Sequence, residues 1–247
     1  MKKSTIWKKL LMVLGALVAV VAIVVASVYG TIAYLSSAAV IQNSFTVGKV
    51  GITMTESAVD ADGHKIPGAA RVMQNHYTLV AGAAFDKDPV IYVDSQSQDS
   101  YLFIIVRNDL TSTTFTPGSD GSPYGSVSID PSKASAEDPN EDTLLAQVYD
   151  NGWLPIASVA TGNVYVYAGD TGAAKHVRAG EEIKVFQKLF ISHSINDFTP
   201  FEAAQINVRA FAIQDTGFNG DVMAAWNAVV SQYSNVIIPT NPSVPTT

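Results

Sequence analysis

The sequence predicts a mainly β protein: an antiparallel β-sandwich with one or two short helices, preceded by an N-terminal hydrophobic export helix. Short apolar runs with period-two alternation recur along the chain, separated by clusters of Gly, Pro, Asp and Ser. That pattern belongs to half-buried antiparallel strands rather than to a parallel α/β sheet. Four lysines, Lys2, Lys3, Lys8 and Lys9, precede an uncharged apolar run from Leu10 to Val28. Only one late segment has sustained helical spacing.

The N-terminal run comes first. As a helix at 1.5 Å per residue it would reach roughly 28 Å, near the thickness of a bilayer's hydrocarbon core. It is apolar on every face, unlike a helix packed on a soluble core. A basic flank followed by such a run reads as an export signal with the lysines inside. It exceeds the roughly 7–15 residues of an ordinary signal core, so an uncleaved membrane anchor is the alternative. Gly30-Thr31-Ile32-Ala33 places small residues at Thr31 and Ala33, where cleavage would expose Tyr34 as the new N-terminus. The expected organisation is a leader over 1–33, a sandwich domain over 34–235 and a Pro/Thr-containing irregular tail over 236–247. The tail contains no L-P-x-T-G, so sortase attachment is not expected.

Within the domain, Ile52 and Met54 face one way and Thr53 and Thr55 the other. Tyr101 to Val106 is apolar on both faces, which suits a central strand. Asn163 to Ala168 sets Val164 and Val166 against Tyr165 and Tyr167. Glu182 to Phe190 is expected as one strand, with Ile183, Val185 and Leu189 on one face and Lys184, Phe186 and Lys188 on the other. Gln205 to Gln214 directs Ile206, Val208, Ala210 and Ala212 inward, and Asn207 and Arg209 outward. From Asp221, a suitable N-cap, Val222, Trp226, Val229, Val230 and Tyr233 share one helical face, which predicts an amphipathic helix packed on the sheet. A second helix is expected to include Glu141 to Val148. Asp60–Gly68, Thr111–Tyr124 and Asp130–Asp142 read as loops, the last as a solvated acidic loop.

Composition narrows the function. The chain has 247 residues, no cysteine and a net charge of −7. No disulfide, thiolate metal site or cysteine nucleophile is available. Beyond Ala33 the chain carries 11 basic and 22 acidic residues, a balance that argues against nucleic acid as a partner.

The stretch from Gly30 to Glu56 adds a resemblance. Gly30-Thr31-Ile32-Ala33-Tyr34-Leu35 and Asn43-Ser44-Phe45-Thr46-Val47-Gly48-Lys49-Val50-Gly51-Ile52-Thr53-Met54-Thr55-Glu56 resemble the start of the TasA/camelysin family, whose members show G-T-x-A-Y-[LF] and N-T-F-T-V-G-x-V-x-I-x-L-x-E. Arg71 to Leu79, Lys87-Asp88-Pro89 and Ser100-Tyr101 are similar to one branch of that family. So are Lys184 to Lys188, Ala212 to Phe218 and Ala225-Trp226. The resemblance covers most of the chain beyond the leader. It implies a membrane-inserted precursor cut after Ala33 by a SipW-type signal peptidase, a jelly-roll-like sandwich, and a secreted role in bacterial surface fibres or biofilm matrix.

Camelysin carries a claim of metallopeptidase activity, and the residues lend it little. His64, His76, His176 and His193 are scattered, with no H-E-x-x-H, and His76 is expected on an outward strand position. Asp60-Ala-Asp62-Gly63 is like the opening of an EF-hand loop, but later ligand positions fail, and a β-turn is the better reading. Asp94 and Asp99 bracket a turn with nothing to fix their spacing. Gly121 to Gly125 lacks the G-x-S-x-G spacing, and there is no Walker or dinucleotide loop. No catalytic residue, metal or cofactor is assigned.

Function then falls to surfaces and edges. Tyr34 to Val47 contains no Gly, Pro or charged side chain. Its apolar residues Tyr34, Leu35, Val40, Ile41, Phe45 and Val47 suit an assembly strand that pairs with the exposed edge of the next subunit, giving a head-to-tail homopolymer. The alternative is an ordinary first strand paired within its own sandwich. A secreted metallopeptidase and a monomeric surface adhesin remain competing functions.

Overall fold

The computed structural model describes residues 49–129 and 143–234, with residues 7, 8, 12, 15 and 17–23 near the N-terminus. The chain divides into two compact units, Met1–Thr46 and Val47–Thr247. In the first, the described residues are helical, and Trp7, Met12, Leu17, Val18 and Ile23 are exposed. Among the described residues no helix is long and apolar enough to cross a membrane. Much of the expected export run, the acidic loop and the 236–247 tail lie outside the described residues.

The second unit is mainly β, with antiparallel sheets. Its elements are β1 (Ile52–Thr55), β2 (Ala84–Asp86), β3 (Val90–Val93), β4 (Ser100–Asn108), β5 (Thr113–Thr116), β6 (Ser126–Ile129), α1 (Leu144–Asp150), β7 (Trp153–Val159), β8 (Gly162–Tyr167), β9 (His176–Val177), β10 (Glu182–Lys184), β11 (Lys188–Phe190), β12 (Ile206–Gln214) and α2 (Val222–Gln232). The largest sheet runs β12-β4-β8-β7, with β9 also paired to β4, and a second sheet runs β1-β3-β10. β11 pairs with β2, and β5 with β6.

β4 is central because both its faces are apolar. Leu102, Ile104 and Val106 enter one core with Ile91, Val93 and Ile183 from the β1-β3-β10 sheet. Tyr101, Phe103 and Ile105 enter a second core, under α2. β8 alternates as expected, with Val164 and Val166 toward the helix side and Tyr165 toward the larger core. Each such side chain, once fully buried, contributes roughly 1.5–3 kcal/mol. Trp153 is fully buried, and its indole N–H donates to the Lys184 carbonyl at 2.8 Å, which ties β7 to β10.

The helix at the C-terminal side forms where its spacing indicates. The Asp221 carboxylate accepts from the Ala224 N–H at 2.9 Å, and Val222, Ala225, Trp226 and Val229 are buried. Trp226 packs against Phe103 and Phe211. α1 forms within the stretch expected to be helical, with Thr143 capping it by accepting from the Ala146 N–H; Glu141 and Asp142 lie outside the described residues.

Three expectations need correction. Glu182 to Phe190 is two strands, β10 and β11, not one. The ladder stops opposite Pro89, which has no N–H to give; the Val185 N–H still donates to the Pro89 carbonyl. At this break Val185 and Phe186 both turn into the larger core, fully buried, so Phe186 does not face outward. The region 111–124 is not wholly loop. Thr113 to Thr116 pairs with Ser126 to Ile129, as its β-branched and aromatic residues favour. The second face of β12 is not simply polar either: Phe211 is buried and Ile213 packs beneath α2.

Candidate functional site at a sheet edge

The two edges of the main sheet differ. β7 carries Pro155, a register shift between Pro155 and Ala157, and a hydrogen bond from the Gly125 N–H to the Pro155 carbonyl. Proline and a bulge both discourage further pairing. β12 is nine residues long, has no proline, and pairs in unbroken register from Ile206↔Asn108 to Gln214↔Ser100. Among the described residues, its other side has no strand. β1 approaches β12 without pairing to it.

Beside this edge lies an open groove of about 510 Å³. Its walls are the end of β1 with Glu56 after it (Met54 to Glu56), the irregular segment from Met73 to Leu79, Lys87 and Pro89, and the start of β12 with the turn before it. Met54, Leu79, Leu189, Ile206 and Val208 supply apolar surface. Met73, also on the groove, is 87% exposed. An unbranched, adaptable side chain in that position can fold over an occupant.

One wall is braced by Arg71. Its Nη2 donates to the carbonyls of Thr55 at 2.9 Å and Asp88 at 2.7 Å, and its Nε to Thr55 Oγ1 at 3.1 Å. The Asp88 carboxylate accepts from the Ser57 N–H at 2.6 Å and the Ser57 hydroxyl at 2.8 Å. Burial pushes the Asp88 carboxyl up, but the Ser57 hydrogen bonds and Arg71 together outweigh it and hold the group below its ordinary value.

Deeper in the groove wall, Glu56 Oε2 accepts from Lys87 Nζ at 2.9 Å, with side chains only 6% and 12% exposed. Glu56 Oε1 is buried without a hydrogen-bond partner. Such an orphaned acceptor costs about 1–3 kcal/mol or more. Lys87 Nζ also sits 5.4 Å from the Tyr77 ring centre. Burial, then the Glu56 carboxylate, raise the Tyr77 phenol above its ordinary range, so it stays neutral and donates to the Asp86 carbonyl at 2.9 Å.

The assembly-strand residues Tyr34, Leu35, Val40, Ile41, Phe45 and Val47 lie outside the described residues, as do the cleavage residues Thr31 and Ala33. The histidines do not meet. His64 closes the Asp60 turn, where its N–H donates to Asp60 Oδ1. His76 borders the groove on a segment that is not a strand, correcting its expected placement. His176 Nδ1 lies 3.2 Å from Asp215 Oδ2. Among the described residues no three His, Asp or Glu gather closely enough to hold a metal. Asp94 and Asp99 pair with Lys49 and Arg178 instead of with each other.

Sequence reading did not foresee the groove or the Glu56–Lys87 pair, because the contacts join residues 31 positions apart. Glu56, residues of the 73–79 segment, Lys87 and Pro89 converge on the groove from three separate stretches of sequence. Compared with protein-family models, curated proteins and solved structures, the chain matches none.

Proposed function

We propose that this chain is an exported structural protein of the bacterial cell surface or biofilm matrix, similar to the TasA/camelysin family. In this reading the membrane-inserted precursor loses residues 1–33 to a SipW-type signal peptidase. The new N-terminal segment, Tyr34 to Val47, then adds as a strand to the next copy. The two facing antiparallel sheets support the finer reading of a jelly-roll-like sandwich.

The observation that carries the proposal is the β12 edge, which has no partner strand among the described residues, with the groove beside its start. A nine-residue edge without proline or a break in register invites another strand, and main-chain hydrogen bonds would supply the affinity. Because donor segment and acceptor edge are different surfaces, the contact repeats head to tail without closing. Before processing, the attached leader would keep the donor segment at the membrane.

The test compares the chain beginning at Tyr34 with one beginning at Gly48, by electron microscopy. Fibres from the first alone support the proposal. Fibres from neither, or equally from both, overturn it. Casein cleavage that a chelator abolishes would instead favour a metallopeptidase, and a stable monomer that binds a matrix component would favour an adhesin.

A further inference from the structure

The place of Lys49 in the second unit fixes where the chain before it is tethered. The Lys49 carbonyl accepts from the Gln98 N–H at 3.0 Å, and the Gly51 carbonyl from the Asp94 N–H at 2.9 Å. Gln98 shortly precedes Ser100, which pairs with Gln214, and the Asp215 N–H donates to the Asp99 carbonyl at 3.1 Å. Lys49 therefore lies at the end of the unit where β12 finishes. The groove lies at the opposite end, where Ile206 pairs with Asn108 and where the end of β1 and the start of β12 form its walls. The nine residues of β12 separate these two ends, roughly 27 Å of strand.

Residues 34–47 join Lys49 through Gly48 alone, so the direction in which they lie on β12 decides what the assembly becomes. Parallel to β12, they finish beside Gln214, and the donor's Lys49 end meets the acceptor's Lys49 end. Both segments then leave from one contact, each can pair with the other's β12, and the reciprocal exchange closes at a dimer. Pairing with β12 of the same copy also takes this parallel course, because the segment has to finish at Lys49. Antiparallel to β12, they finish beside Ile206. The donor's Lys49 end then meets the acceptor's groove while the donor's own groove stays open to a further copy, and growth continues.

Two observations favour the antiparallel course. Every ladder among the described residues is antiparallel, that of β12 with β4 included, and parallel pairs are slightly less stable per residue. The antiparallel course also brings Phe45 and Val47 to the groove, whose apolar surface comes from Met54, Leu79, Ile206 and Val208. In a strand these two side chains share a face, whereas Tyr34 and Leu35, which the parallel course would bring there, point to opposite faces.

We propose that residues 34–47 of a second copy lie antiparallel on β12, Tyr34 toward Gln214 and Val47 toward Ile206, so that the Lys49 end of each copy stacks on the groove of the next. This rests on the strand-addition reading and supplies the direction that makes it an open polymer.

The chain has no cysteine, so single introduced cysteines take labels at one place only. In the chain beginning at Tyr34, Ser36→Cys or Thr46→Cys carries a fluorescence donor. A separate preparation carries the acceptor at Gln205→Cys or Gln214→Cys, both exposed positions. Energy transfer in the mixed assembly then reports contacts between copies. The expected result is at least about twofold greater transfer from Ser36 to Gln214 than to Gln205, the two sites being roughly 27 Å apart or more. Thr46 should show the reverse order. Glu202→Cys and Thr216→Cys, exposed beyond either end of β12, replace a site whose label blocks assembly. The opposite order, equal transfer to both ends, or assembly that stops at a dimer overturns the inference while strand exchange itself stands. A chain that stays monomeric and shows no transfer overturns the strand-addition reading.

Discussion

Lys87 Nζ lies 2.9 Å from Glu56 Oε2, and this pair joins the end of β1 to the chain between β2 and β3 with both side chains almost out of solvent. Breaking such a pair leaves one buried charge alone, which costs about 3–5 kcal/mol, whereas replacing both members with apolar groups is often neutral. Lys87→Met should therefore lower the denaturant midpoint strongly, and Glu56→Met in the same chain should recover most of the loss. Urea melts of the three chains check this, and a double variant no better than the single would contradict it.

Asp88 gives a pH prediction. Its folded-state carboxyl is held below the ordinary 3.8, because the Ser57 hydrogen bonds and Arg71 outweigh the opposing effect of burial. A group depressed on folding contributes stability above its unfolded pKa and loses it as pH falls through the folded value. The parent should thus lose stability as pH drops below about 4, and Asp88→Asn should flatten that part of the curve while lowering stability at pH 7. Thermal melts between pH 2 and 7 would show it.

Gly162 sits at φ 140°, and a Cβ there would lie 2.4 Å from the Val106 carbonyl oxygen. Main chain cannot yield as a side-chain tip can. Gly162→Ala should cost about 1–3 kcal/mol, read as a lowered midpoint in denaturant. An unchanged midpoint would mean that the β7–β8 turn does not press against β4 in this way.

The α2 cap is a milder test. Asp221→Ala removes the carboxylate that accepts from the Ala224 N–H and should cost about 0.5–2 kcal/mol. Asp221→Asn should keep most of the stability, since a carboxamide oxygen can take the same hydrogen bond. Equal losses from both substitutions would argue against capping.

Legibility in the sequence tracks how local the cause is. The central strand around Leu102 to Val106, the alternation of Val164 against Tyr165, and the helix capped by Asp221 each follow from residues a few positions apart, and each is found in the structure. The break between β10 and β11 depends on Pro89, almost a hundred residues upstream, so nothing within 182–190 could announce it. The groove is further still from local pattern. It exists because Arg71, Asp88, Glu56 and Lys87 meet across strand ends, which no periodicity encodes.

The central claim is that the side of β12 with no partner strand among the described residues receives a strand from another copy. Amide hydrogen exchange over Ile206–Gln214 tests it most directly, measured across a concentration series for the chains beginning at Tyr34 and at Gly48. The account predicts that protection on β12 rises with concentration in the Tyr34 chain, in step with assembly, and does not change in the Gly48 chain. Full protection of β12 in the Tyr34 chain while it is still monomeric would contradict it, because the segment would then be paired within its own subunit.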